Sequence, residues 1–242
     1  MCIPLVQDGA LWKLSQMKDL QDDRREEMRE QIIERVLENK IIAIVRGVYG
    51  EDCLNLAKAL CEGGIKLLEV TFDQSNPDAW KKTADTVKRL VEELGDQMAF
   101  GTGTVTTLEM VELAKNAGAQ FIVSPNTNEK VIRATVEAGM VSMPGAMTPS
   151  EVLDAYEYGA DFVKLFPVGN LGTSYVKALC APINHVRMLA VGGVNEKNAK
   201  DFLAAGAVGV GVGGNLVNKE WIAAGEFDKI IELAREFTEN IK

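Results

Sequence analysis

The sequence predicts an α/β fold: a (β/α)8 TIM barrel preceded by an extra N-terminal helix. Three observations point there. A helix-ending glycine followed by an apolar strand recurs: Asn116-Ala117-Gly118-Ala119 before Phe121-Ile122-Val123, Glu137-Ala138-Gly139 before Met140–Met143, Glu157-Tyr158-Gly159-Ala160 before Val163, and Ala204-Ala205-Gly206-Ala207 before Val208–Val212. The recurrence is about 20 residues, or twice that, the length of one βα unit. Eight apolar strand runs are centred near residues 41, 67, 99, 122, 141, 163, 189 and 210, with helical segments between nearly all of them. No GxGxxG follows the first run, which disfavours a doubly wound open sheet.

In chain order, residues 1–21 read as an extension, with Leu11, Trp12, Leu14, Met17 and Leu20 spaced for a marginal amphipathic helix. Such a stripe is expected to pack on the domain or on a neighbouring subunit. Residues 22–242 read as one barrel domain. Asp23–Asn39 is an amphipathic helix by the spacing of Met28, Ile32, Ile33, Val36 and Leu37. Lys40–Val45 is a strand ending at Arg46, and Glu51–Cys61 a helix stopped by Gly63-Gly64. Ile65–Phe72 is a strand containing Glu69. Asn76-Pro77 reads as a cap and first-turn proline for a helix to Leu94. Met98–Phe100 leads into Gly101-Thr102-Gly103-Thr104, and Thr106 with Glu109 has capping-box spacing. Thr148-Pro149 with Glu151 repeats that signal, Asn195 reads as the cap of the next helix, and Phe227–Ile241 is the last helix.

Composition narrows the function. The chain has 242 residues, 47% hydrophobic and 25% charged, as in soluble globular proteins. A net charge of −9 argues against nucleic acid or an anionic membrane as partner. Cys2, Cys53, Cys61 and Cys180 are scattered without a CxxC pair, which favours a reducing cytoplasm over disulfides or zinc. His185 is the single histidine, so neither a multi-histidine metal site nor a Ser-His relay elsewhere can be built. It lies in a polar connection and reads as solvated, Lys177 as a solvated or rim lysine. No apolar run reaches transmembrane length, and residues 1–22 lack the pattern of a secretory signal.

The sharpest anomaly is Lys164 in Asp161-Phe162-Val163-Lys164-Leu165-Phe166-Pro167. Side chains alternate along a strand, so Phe162, Lys164 and Phe166 share one face and Val163 and Leu165 the other. Neither face is polar. Burying an ammonium costs several kcal/mol unless it is paired or deprotonated, and a lysine that sheds its proton is a nucleophile. Barrel active sites lie at the C-terminal ends of strands, where Arg46, Glu69 and Lys164 are all expected. A free amine attacks a carbonyl carbon, and the resulting protonated imine accepts electrons when an adjacent C–C bond breaks or forms. Glu69, a carboxylate in an apolar setting, is the candidate proton carrier. Arg46 offers a fork for a carboxylate, and Thr71 shares the face of Glu69. The bland alternative is a structural cluster of charges plugging the barrel.

Gly192-Gly193 after the seventh run and Gly213-Gly214-Asn215 after the eighth match the place where this fold binds phosphate on backbone N–H groups. Turns at Gly101–Thr104, Ser124-Pro125-Asn126 and Pro144-Gly145 let backbone and the Thr104 hydroxyl approach a small ligand.

Taken together, Val45-Arg46-Gly47, Leu68-Glu69-Val70-Thr71, Gly101-x-Gly103-Thr104-Val105, Ser124-Pro125, Met143-Pro144-Gly145, Val163–Pro167, Gly192-Gly193-Val194 and Gly213-Gly214-Asn215 occur in order. The chain resembles, over about residues 30 to 240, the 2-keto-3-deoxy-6-phosphogluconate (KDPG) / 4-hydroxy-2-oxoglutarate aldolase family, class I pyruvate aldolases. The resemblance implies a Schiff base between Lys164 and pyruvate, Glu69 as acid/base, and Arg46 and Thr104 against the pyruvate moiety. Thr71, Pro125, Phe166, Gly192, Gly193, Gly213, Gly214 and Asn215 complete the expected substrate-binding set. It also implies a homotrimer, no metal, and no cofactor beyond the covalent Schiff base. The expected substrate is a small anionic keto acid, with 4-hydroxy-2-oxoglutarate and the galactonate-derived epimer as alternatives to KDPG. A phosphate-binding barrel without lysine chemistry is the alternative of another class. Two positions depart from the family. Asp73 stands where some members have an arginine four residues after the glutamate, and Asn215 where some have serine.

Overall fold

The computed structural model describes the backbone of residues 8–242 and the side chains of residues 23–242. One helix, α1 (Asp8–Asn39), runs unbroken where the sequence suggested a marginal helix and a separate one after it. The side chains of Leu11, Trp12, Leu14, Met17 and Leu20 lie outside the described residues, so the expected packing of that stripe does too.

Nine parallel strands follow: β1 (Ile41–Val45), β2 (Leu67–Thr71), β3 (Ala99–Gly103), β4 (Phe121–Val123), β5 (Val141–Met143), β6 (Gly145–Ala146), β7 (Val163–Leu165), β8 (Met188–Val191) and β9 (Gly209–Val212). The sheet order is β5-β4-β3-β2-β1-β9-β8-β7-β6. Its two ends, β5 and β6, are halves of one run interrupted at Pro144, which has no N–H to give the ladder. The count therefore exceeds the expected eight by that one break. Hydrogen bonds from Phe162 N to Ser142 O (3.2 Å) and Lys164 N to Pro144 O (2.8 Å) carry the pairing across it and bring the sheet round into an α/β barrel.

Helices alternate with the strands: α2 (Gly50–Glu62), α3 (Trp80–Leu94), α4 (Leu108–Asn116), α5 (Glu129–Glu137), α6 (Pro149–Glu157), α7 (Gly172–Cys180), α8 (Ala199–Ala204), then α9 (Lys219–Ala223) and α10 (Phe227–Asn240). The recurring glycines do the work read from them. Gly118, Gly139, Gly159 and Gly206 take φ of 77°, 78°, 100° and 112°, a left-handed turn that lets the chain leave a helix for the next strand. The capping box at Thr148 and Glu151 is present. Others shift. Thr107, not Thr106, caps α4, accepting from Met110 N. Asn76 gives no side-chain cap, and Pro77 opens a 3-10 turn (Pro77–Ala79) ahead of α3. Asn198 stands at the start of α8, and the Asn195 side chain instead accepts from Lys197 N and Asn198 N in its own turn.

Two apolar layers form. Outward-facing residues such as Ala43, Leu68, Phe100, Ile122, Val163, Leu165 and Val210 pack under the helices. Inward-facing Ile42, Ile44, Leu67, Phe121, Val141, Phe162 and Leu189 fill the barrel, with Ile32 and Val36 of α1 packed among them. This assigns α1 to one end of the barrel as a plug. It is pinned there by Arg29, which pairs with Asp161 (2.8 Å), while Asp161 accepts from Ser142 N (2.9 Å) at the closure seam.

Inward positions on β3 and β9 are nearly bare: Ala99, Gly101 and Gly103 on one, Gly209 and Gly211 on the other. A Cβ on Gly101 would come within 2.3 Å of the Phe121 ring, and one on Gly211 within 2.9 Å of Val191. These glycines make room for large neighbours. Gly101→Ala is therefore expected to cost about 1–3 kcal/mol through overpacking, read as a lower urea midpoint. Gly214→Ala, where an added Cβ meets nothing within 4 Å, should change stability by no more than about 0.5 kcal/mol.

Candidate active site

Apart from Glu69, which lies mid-strand, the residues singled out from the sequence for ligand chemistry lie near or beyond the C-terminal ends of strands. Lys164 is the middle residue of β7 and Glu69 that of β2, and both point into the barrel. Register sets small residues next to them: Glu69 lies opposite Gly101 on β3, and Lys164 opposite Gly145 on β6. A Cβ on Gly103 would fall 1.6 Å from Glu69 Oε1, so glycine at that position is what admits the glutamate side chain.

Both charged groups are sealed from water, Lys164 at 4% exposure and Glu69 at 1%. Glu69 Oε1 is buried with no hydrogen-bond partner. The Lys164 Nζ lies 4.8 Å from the centroid of the Phe166 ring, on the same face two residues on, as strand alternation requires. Burial is the dominant influence on both protons. It lifts the Glu69 carboxyl above its ordinary 4.5, with Lys164 and then Arg46 pulling the other way. It depresses the Lys164 ammonium below its ordinary 10.5, opposed by Glu69 and reinforced by Arg46. Burial disfavours the charged form of each, because a lone charge in this interior has too little to solvate it.

Above them the mouth opens into two hollows that share Arg46. One, of about 340 Å3, is bordered by Arg46, Thr71, Asp73, Gln74, Thr104 and Lys219. Arg46 Nη1 donates to Thr104 Oγ1 (3.3 Å). Thr104 takes a left-handed φ of 59°, unusual for a β-branched residue. Gln74 supports that turn, donating from Nε2 to Thr104 O (2.7 Å) and accepting from Thr106 Oγ1 (3.1 Å). Asp73 turns into its own loop, where Oδ1 accepts from Ser75 N (2.9 Å) and Ser75 Oγ (2.6 Å), which hold its carboxyl below the ordinary carboxylate value.

The other hollow, of about 230 Å3, is bordered by Arg46, Phe166, Gly192, Gly193, Gly214 and Asn215. Gly192 and Gly193 have φ of 90° and 80°, and a Cβ on Gly193 would sit 2.7 Å from Gly169. Only glycine fits there. Among the described residues the amides of Gly193, Gly214 and Asn215 donate no hydrogen bond, which leaves three N–H groups on this wall for a ligand. Asn215 is partly committed, its Nδ2 donating to Val194 O (3.0 Å). Pro125 lies two residues beyond β4, with its carbonyl packed against Gly145.

Other residues stay apart from this mouth. His185 is exposed and lies edge-on to Tyr156, with ring centroids 5.1 Å apart. Lys177 is exposed on α7. Cys53 is buried with its thiol pushed up to about 12, unlike a reactive thiolate. No cluster of metal-ligating side chains occurs among the described residues. Gln74 and Lys219 border the site without having been anticipated. Each lies on a loop or short helix beyond its strand, where period and strand-end position carry no signal.

Comparison with known proteins gives a consistent result. The family model for KDPG and KHG aldolase matches residues 32–233. The chain is 34% identical to 2-dehydro-3-deoxy-6-phosphogalactonate aldolase of Escherichia coli K12, over 73% of this chain and 83% of that protein. It is 33% identical to the KHG/KDPG aldolase of the same organism, over 79% and 87%. Among solved structures, KDPG aldolase from Legionella pneumophila, with pyruvate captured as a covalent carbinolamine intermediate, superposes with a TM-score of 0.72 at 28% identity, covering 81% of this chain and 93% of that one. With a buried lysine and a buried carboxyl on a barrel of the same architecture, the chain belongs to the KDPG and KHG aldolase family and is a carbon–carbon lyase.

Proposed function

We propose that the protein is a class I aldolase that cleaves 2-keto-3-deoxy-6-phosphogluconate to pyruvate and glyceraldehyde 3-phosphate through a Schiff base on Lys164. The observation that carries this reading is the desolvated Lys164 side chain and the buried Glu69 carboxyl, whose Oε1 has no hydrogen-bond partner. The free amine adds to the C2 carbonyl of the keto acid. Glu69 supplies the proton that lets the carbinolamine lose water. Glu69 then takes the C4 hydroxyl proton as the C3–C4 bond breaks, and the bond's electrons flow into the protonated imine. The aldehyde leaves, the enamine is protonated at C3, and water releases pyruvate. Arg46 and Thr104, with Thr71, hold the carboxylate end of the substrate. Phe166 and Pro125 border the reacting carbons, and the N–H groups around Gly192, Gly193, Gly213, Gly214 and Asn215 receive the phosphate. No metal or separate cofactor enters this scheme, and we propose that the enzyme works in the cytoplasm, in the Entner-Doudoroff route of sugar-acid breakdown. We further propose the homotrimer and the single domain over residues 22–242 as its working form.

Two relatives support neighbouring substrates, because one is named for the galactonate-derived epimer and another for KHG as well. The three free amides near Gly193 and Gly214 favour a phosphorylated substrate over 4-hydroxy-2-oxoglutarate. In a comparison of kcat/KM, the phosphorylated acids should exceed their unphosphorylated counterparts by about tenfold or more, as expected for a charge-assisted contact. Equal values would remove the phosphate from the glycine wall.

Incubation with pyruvate and borohydride should leave a reduced adduct at Lys164, located by peptide mass spectrometry. Absence of any adduct there would overturn the lysine reading in favour of a barrel that only binds its ligand. Glu69→Gln should keep the fold and slow turnover by about 10²–10⁴-fold. It should also change the pH dependence of stability. A carboxyl whose folded value is raised is protonated in both states at low pH and loses stability as pH rises through the folded value. The urea midpoint of Glu69→Gln relative to the native protein should therefore rise as pH rises above the ordinary carboxylate range. A flat difference would mean that the Glu69 carboxyl titrates in the ordinary range.

A further inference from the structure

The hollow on the Thr104 side of Arg46 has a second cation on its rim, Lys219. Lys219 is the first residue of α9 and is exposed. Among the described residues it has neither a hydrogen bond nor an ion pair. Its Nζ reaches back across Gly47, where an added Cβ would lie 3.4 Å from it. Gly47 directly follows Arg46 and has φ of 68°, so the absence of a side chain there keeps the path between the lysine and the hollow open. Its position on α9 does not account for it, because a cation at a helix N-terminus gains nothing from the helix dipole. Across the hollow stands Asp73, held in its ionised form by the Ser75 hydrogen bonds. An anion entering beside Asp73 would be repelled by it, and Arg46 is already turned to Thr104.

Resting on the aldolase reading above, we propose that Lys219 is a specificity-determining residue of this site: with Arg46 it holds the carboxylate of the keto acid and offsets the charge of Asp73. The chain thus draws its second carboxylate-binding cation from the segment after β9, on the opposite side of β1 from the loop after β2. Since Lys219 acts on the carboxylate and not on the carbonyl, it selects keto acids over neutral ketones and leaves the chemical step alone.

The test compares the native protein with Lys219→Met and Lys219→Arg. With borohydride trapping at Lys164, the pyruvate concentration giving half-maximal labelling should rise about five- to tenfold in Lys219→Met. The rate at saturation should stay unchanged, and Lys219→Arg should restore most of the affinity. Labelling by methyl pyruvate, which lacks the charge, should be indifferent to the substitution. Equal half-saturation for pyruvate in native and Lys219→Met protein would overturn the proposal, as would an equal loss for the neutral ester. The same question is answered without covalent chemistry by equilibrium binding of pyruvate, measured by saturation-transfer NMR. Absence of any Lys164 adduct would fail the aldolase reading alone. Weaker pyruvate binding by Lys219→Met would still support the carboxylate contact, and equal binding would still overturn it.

Discussion

Taking the Lys164 ammonium and the Glu69 carboxyl out of water is the constraint on which the rest of this barrel depends. Each group in isolation would cost several kcal/mol to bury charged. The interior does not remove that cost with hydrogen bonds, since Glu69 Oε1 has no partner. It leaves the two groups close enough to influence one another, while burial raises the Glu69 carboxyl and lowers the Lys164 ammonium from their ordinary values.

The surrounding structure is arranged to tolerate this. Gly101, Gly103 and Gly145 flank the two side chains, and at Gly103 even a methyl group would overlap the carboxylate. The remaining interior is closed by large apolar side chains and by α1, whose Ile32 and Val36 seal the end away from the mouth. Water is excluded from below by this packing. At the mouth Arg46, Thr104 and Lys219 on one side and the glycine amides on the other supply positive character in a chain of net charge −9. In such a chain an anion is drawn in by a few local groups, not by the field of the whole molecule.

Loop hydrogen bonding gives the mouth its shape. Gln74 bonds both Thr104 O and Thr106 Oγ1, which holds Thr104 in a left-handed conformation with its hydroxyl toward Arg46. That use of Thr106 explains why Thr107 is the residue that caps α4. Likewise Asn198 donates to Gly193 O (3.0 Å), which ties the start of α8 to the glycine wall.

The sequence by itself determined the barrel and the position of its unusual lysine. Strand alternation and left-handed glycines are local properties, legible wherever apolar runs and helix stops recur, and Phe162, Lys164 and Phe166 had to share a face whatever lay around them. It showed equally that Glu69 lies within the second strand and that Arg46 follows the first. Tertiary structure alone decided the split of the fifth strand at Pro144, the continuity and plugging role of α1, the commitment of Asn215 to Val194, and the arrival of Gln74 and Lys219 at the mouth. These depend on how loops after different strands meet when the sheet closes. Residues 46, 74 and 219 come together only because β1 lies between β2 and β9, and no local pattern of side chains records that adjacency.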